Sequence, residues 1–110
     1  MERFIKGDIV VIPFPFSDLS NFKKRPALVI SVLKGDDLIL CQITSQNISD
    51  DYAISISNED LASGDLKTKS NIRPNRIFTA DKNIILYKLG NLKENKVIES
   101  VEKLIEIIRS

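Results

Sequence analysis

A mainly β domain closed by a single C-terminal helix is what this sequence of 110 residues predicts, and three observations carry the prediction. Short β-branched runs recur as far as Gly90, turn-forming residues punctuate them, and an apolar stripe at helical spacing runs from Val97 to Ile108. No linker-like stretch interrupts the chain, so residues 1–110 are read as one domain. At this length a single core buries roughly 65% of the unfolded surface.

The elements follow in order. Asp8 to Ile12 is apolar and β-branched, and Pro13 and Pro15 then remove backbone donors, so this strand finishes as an irregular edge. Ser17 to Lys24 reads as a polar loop. Pro26 to Leu33 and Leu38 to Thr44 are strands joined by Lys34, Gly35, Asp36 and Asp37, a composition suited to a tight hairpin, and they are expected to form the centre of the sheet. Tyr52 to Ser57 alternates apolar and small polar residues with the period of a half-buried strand. Ile72 to Ala80 and Ile84 to Leu89 complete the strands, and Gly90 is expected to close the β region.

Asn91, with Glu94 three residues on, resembles a capping box at a helix start. Val97, Ile98, Val101, Leu104, Ile105 and Ile108 then recur on one helical face, expected to pack on the sheet, while Glu99, Glu102, Lys103, Glu106 and Arg109 cover the other. Several short strands followed by one helix imply a small, strongly bent sheet or barrel.

Composition excludes several classes of function. With 43% hydrophobic and 28% charged residues the chain is neither disordered nor membrane-spanning, and its longest apolar runs, Ile9 to Phe16 and Ala27 to Leu33, fall short of the ~20 residues a spanning helix needs. Met1 to Ile5 opens no secretory signal, so a cytoplasmic location is expected. There is no histidine, which removes the usual base of nucleophilic triads and the commonest zinc ligand; no metal site and no cofactor are expected. The single cysteine, Cys41, sits in an apolar run and reads as a buried thiol.

The net charge of +1 conceals a segregation along the chain. Asp36 to Asp65 contains seven acids and no base, whereas Lys67 to Lys88 contains six bases against Asp81. Lys23, Lys24 and Arg25 form a second basic cluster, and a fold that joins the two would create a phosphate-binding strip.

Four blocks in order carry a resemblance: Gly7 to Phe16, Lys24 to Ser31, Ile43 to Gln46, and Ser70 to Asp81 with its Arg-Pro-Asn-Arg and Phe-Thr-Ala-Asp. Together with the terminal helix they resemble the MazF/PemK toxins nearly end to end. The resemblance implies an SH3-like barrel, a homodimer, and metal-independent cleavage of single-stranded RNA at short motifs, restrained by a cognate antitoxin. It also implies that Arg25 is the catalytic arginine, that Thr44 is the catalytic hydroxyl, and that Arg73 matches a second arginine of some members. Where some members place an acid near that second arginine, this chain has Asn75.

The chemistry is consistent with these residue types. RNA is cut when its own 2′-hydroxyl attacks the adjacent phosphate, so the largest demand on the protein is the phosphorane's extra negative charge. Arg25 offers a planar, permanently charged fork of donors, and Thr44 a hydroxyl for the same phosphate. A guanidinium is almost never deprotonated in a protein, which makes Arg25 a transition-state stabiliser first and leaves the base to a polarised water or to Arg73. Lys23, Lys24 and Arg76 are candidate phosphate contacts, while Ser45, Gln46 and Asn47 are candidates for the RNA-binding loop, Gln42, Gln46 and Asn47 being able to read base edges. Phe22, without an obvious place in a β-branched core, either stacks on a base or folds back onto the barrel edge.

Two rivals remain open at this stage. A toxin of the same barrel that poisons gyrase tends to use a C-terminal tryptophan, and this chain has none. A non-catalytic SH3-like module for proline-rich peptides wants an aromatic-lined groove, hard to assemble from two tyrosines and no tryptophan.

Overall fold

The computed structural model describes residues 3–14 and 23–110. Among these residues seven antiparallel strands form one sheet: β1 (Asp8–Phe14), β2 (Lys23–Val32), β3 (Asp37–Thr44), β4 (Ile54–Ile56), β5 (Leu61–Gly64), β6 (Ser70–Asp81) and β7 (Tyr87–Leu92). They are ordered β4-β6-β3-β2-β1-β7-β5, and a helix, α1 (Glu94–Arg109), follows. The expected fold class is the one observed.

The continuous apolar runs of β1 and β2 are explained by burial on both faces of the sheet. Ile9, Leu28, Ile30, Cys41, Ile43, Ile54, Ile72 and Leu92 form one cluster with Val97 of the helix, and Val101 and Leu104 pack against it. Val10, Ile12, Ala27, Val29, Leu38 and Leu40 point the other way, against Phe4, Phe14, Phe78, Ile84 and Ile85. The hairpin between β2 and β3 turns at Gly35, whose positive φ of 79° suits a residue without a Cβ, and Leu33 donates to the Asp37 carbonyl across it.

Bulges bend the sheet. In β6 the register against β3 passes from Cys41–Ile77 directly to Gln42–Arg73, so Pro74, Asn75 and Arg76 are extruded from the ladder. The sequence explains this, because Pro74 has no N–H to donate and is instead buried.

Several boundaries differ from the sequence reading: β2 starts at Lys23, inside the expected loop, rather than at Pro26, and β4 is confined to Ile54–Ile56. The strand expected over Ile84 to Leu89 starts at Tyr87, since Lys82–Ile84 form a 3-10 turn. Gly90 does not close the β region but lies inside β7, where it faces Gly64 of β5, a strand the sequence reading omitted. The two backbones are so close that a Cβ on either glycine would collide with the other strand. Asn91 is not the helix cap: Lys93 holds that position without a side-chain bond, and the Asn91 amide donates to the buried Asp8 carboxylate at 2.9 Å. Within the helix, Val97 is buried but Ile98 and Ile108 remain 52% and 68% exposed, so the stripe is only partly seated on the sheet.

Candidate active site

A cleft of about 560 Å³ opens where the ends of β2 and β3 meet the β5–β6 connection and the start of β7. Pro26, Ile43, Leu66 and Leu89 supply its apolar lining, and Lys24, Arg25, Thr44, Ser45, Lys67 and Thr68 its polar one. Ile43, Thr44 and Leu66 are buried whereas Lys24, Ser45 and Lys67 are exposed, so the basic groups stand at the rim.

Arg25 reaches this place because β2 continues to Lys23, pairing Arg25 with Ile12 of β1. Thr44 ends β3 opposite Asn71 of β6. Its hydroxyl accepts the Gln46 amide at 3.2 Å, an arrangement that orients the oxygen and leaves its own proton to be donated. Asn71 in turn donates from Nδ2 to the Gln46 carbonyl at 3.0 Å.

Of the residues singled out in the sequence, Lys24, Arg25, Thr44 and Ser45 share the cleft lining. Gln46 and Asn47 follow directly in an exposed loop, Lys23 is exposed beside Lys24, and Arg76 is exposed on the β6 bulge. Phe22 lies outside the described residues. Arg73 is not among the cleft-lining residues. It stands opposite Gln42, and its Nη2 bonds Asp50 at 3.2 Å, with 17% of the arginine and 28% of the aspartate side chain exposed. Its Nε is buried and finds no hydrogen-bond partner among the described residues.

Asp50 therefore sets a carboxylate beside Arg73. Its other oxygen accepts the Tyr52 and Ala53 amides at 3.0 Å each, and chiefly the Tyr52 amide, then the Ala53 amide and Arg73, hold its carboxyl below the usual carboxylate range.

The charge segregation seen along the sequence is not kept in space. Asp65, from the acidic segment, lines the same cleft as Lys24 and Arg25. Lys82 pairs with Asp36 at 3.3 Å, and Lys88 lines the cleft but places its ammonium 3.3 Å from Asp8. Lys67 is the member of the later basic run that joins the rim with no carboxylate bonded to it among the described residues.

The sequence reading missed Tyr87. It stands opposite Val11, is 47% exposed, and is the aromatic residue among those lining the cleft. No three His, Cys, Asp or Glu side chains gather into a possible metal site among the described residues, nor is any helix there long and apolar enough to cross a membrane.

Sheet, helix and cleft define a small bent-sheet protein with a cationic, partly apolar groove at one end. The chain belongs to the PemK-like, MazF-like toxins of type II toxin-antitoxin systems, whose family pattern it matches over residues 5–108. Its fold is similar to that of MazF from Deinococcus radiodurans, with a TM-score of 0.76 at 17% identity over 100% of both chains. It is also similar to a mycobacterial endoribonuclease in complex with its cognate antitoxin, at TM-score 0.69 and 12% identity over 97% of this chain and 93% of that one. The Mycobacterium tuberculosis toxin MazF-mt6 superposes at TM-score 0.71 and 13% identity over 93% and 96%. Comparison with curated protein sequences returns no significant match.

Proposed function

We propose that this protein is an endoribonuclease toxin that cuts single-stranded RNA at short sequence motifs without a metal ion, arrests growth, and is neutralised by a cognate antitoxin. The observation that carries the reading is the convergence of Arg25 and Thr44 on one cleft in a chain of this family. The mycobacterial endoribonuclease of the same fold, which binds its cognate antitoxin, supports the class of reaction and of partner.

In this mechanism the scissile phosphate lies against Arg25. The 2′-oxygen bonds to phosphorus as a base takes its proton, and the bond to the 5′-oxygen breaks as that oxygen is protonated. The products are a 2′,3′-cyclic phosphate and a free 5′-hydroxyl. Arg25 stabilises the charge that grows on the phosphorane oxygens, and the Thr44 hydroxyl, its lone pair already engaged by Gln46, donates to the same group. Lys24 and Lys67 at the rim would hold flanking phosphates, with Lys23 and Arg76 extending the strip, and Ser45, Gln46, Asn47 and Phe22 would meet the bases. A homodimer acting in the cytoplasm completes the proposal.

Incubation of the purified protein with a long RNA in excess EDTA, followed by mapping of new 5′ ends, tests it. Discrete ends sharing a short motif are expected; intact RNA, or cleavage that returns only with magnesium, would contradict it.

A further inference from the structure

β3 and β4 lie on the two sides of β6, both antiparallel to it, and are therefore parallel to one another. The connection 45–53 must cross β6 to join them. Ile43, Ile72 and Ile54 occupy the core on one face, and the connection is held by the residues that alternate with Ile72, namely Asn71 and Arg73. Asn71 grips its near end through the Gln46 carbonyl, and Arg73 grips its far end through Asp50, which in turn caps the Tyr52 and Ala53 amides. The near end also carries the Gln46 amide that orients Thr44.

We propose that Arg73 and Asp50 are positioning residues: their ion pair, with the Asn71–Gln46 bond, straps the 45–53 connection across β6, setting Ser45 and the Thr44 hydroxyl at the cleft and fixing which bases the loop accepts. This rests on the nuclease reading above and gives Arg73 a different role from the catalytic one that the resemblance implies. An arginine that stabilises a phosphorane must reach the reacting phosphate. Arg73 is absent from the cleft lining, its guanidinium is engaged by Asp50, and β6 lies two strand spacings from the β2 strand of Arg25, roughly 10 Å.

The two roles separate in a mutant cycle on the full chain, read as kcat, KM and the ratio of cleavage at the preferred motif to cleavage elsewhere. Arg73→Ala and Asp50→Ala should each lower selectivity and raise KM by a similar factor, about threefold to thirtyfold, with the double variant no worse than either and kcat falling by about tenfold at most, less than on loss of the Thr44 hydroxyl itself. Exchanging the charges, Arg73→Asp with Asp50→Arg, should recover part of the loss. A fall in kcat of about 100-fold or more for Arg73→Ala, with Asp50→Ala unaffected and no recovery on exchange, would make Arg73 catalytic and overturn the proposal.

Amide hydrogen exchange provides a readout independent of RNA. Arg73→Ala should speed exchange at Gln46, Tyr52 and Ala53, and if that variant does not fold, the exposed Asp50→Ala is read at Gln46. Unchanged exchange overturns the strap. Intact wild-type RNA would instead remove the nuclease reading, leaving exchange to decide the strap alone.

Discussion

Arg25 and Thr44 line one cleft from neighbouring strands, Arg25 two residues before Ala27 and Thr44 two after Gln42, the last β2–β3 pair at that end of the sheet. A phosphate between them would meet a fixed positive charge and a hydroxyl whose orientation is set by the Gln46 amide. Thr44→Val keeps the shape of the side chain but removes the donor and strands that amide. It should lower kcat by about tenfold to 100-fold, whereas Thr44→Ser should retain most activity. Wild-type turnover by the valine variant would exclude Thr44 from the reaction.

Tyr87 presents an exposed ring to the cleft. A base stacked on it would contribute about 1 to 3 kcal/mol, so Tyr87→Ala should weaken binding of a short single-stranded RNA by about fivefold to 150-fold, and Tyr87→Phe by little. Fluorescence anisotropy with a labelled oligonucleotide measures this. Equal affinity for the alanine variant would place the bases elsewhere.

Lys24 lines the cleft and Lys23, also exposed, precedes it in β2. Reversing both to glutamate should weaken RNA and an acidic antitoxin segment together and flatten the dependence of log K on log salt by roughly 1 to 2. Lys103→Glu, on the polar side of the helix, should change neither. Titrations at two salt concentrations decide it; antitoxin affinity unmoved while RNA binding collapses would mean that the two ligands use separate surfaces.

Burial pushes the Cys41 thiol up to about 12, against a smaller lowering by its hydrogen bond with the Leu28 backbone. Because the folded value exceeds the unfolded one, this group's contribution is fully present below pH ~8.5 and is lost as pH rises toward the folded value. The loss is about 1.4 kcal/mol per pH unit in that window. Denaturant titrations from pH 8 to 11 should show a shallower decline for Cys41→Ala than for the wild type, although the variant starts less stable. Parallel curves would contradict the assignment.

What could be read from the sequence was local. The β2–β3 hairpin, the alternation of β4 and the helical stripe each reside in a few consecutive residues, and Arg25 and Thr44 fall where strand ends could be placed from such patterns. What could not be read depends on distant partners. Asn91 looks like a cap until Asp8, from the first strand, takes its amide. Leu61–Gly64 has one buried residue and little strand character of its own, and it becomes a strand because Gly64 and Gly90 allow two backbones to approach. The ion pair of Arg73 could not be read locally, because its partner, Asp50, lies 23 residues earlier. Tyr87 gives no local sign that its ring faces a cleft, since an aromatic on a strand is ordinary.

In the proposed mechanism Arg25 stabilises the transition state of RNA cleavage. The most direct measurement compares wild type and Arg25→Ala on one long RNA in EDTA, with circular dichroism confirming that both are folded. Cleavage at the mapped motif should fall by about 100-fold to 1000-fold or more in the variant, with the fold unchanged. A folded Arg25→Ala protein that cuts the same sites at the wild-type rate would contradict it.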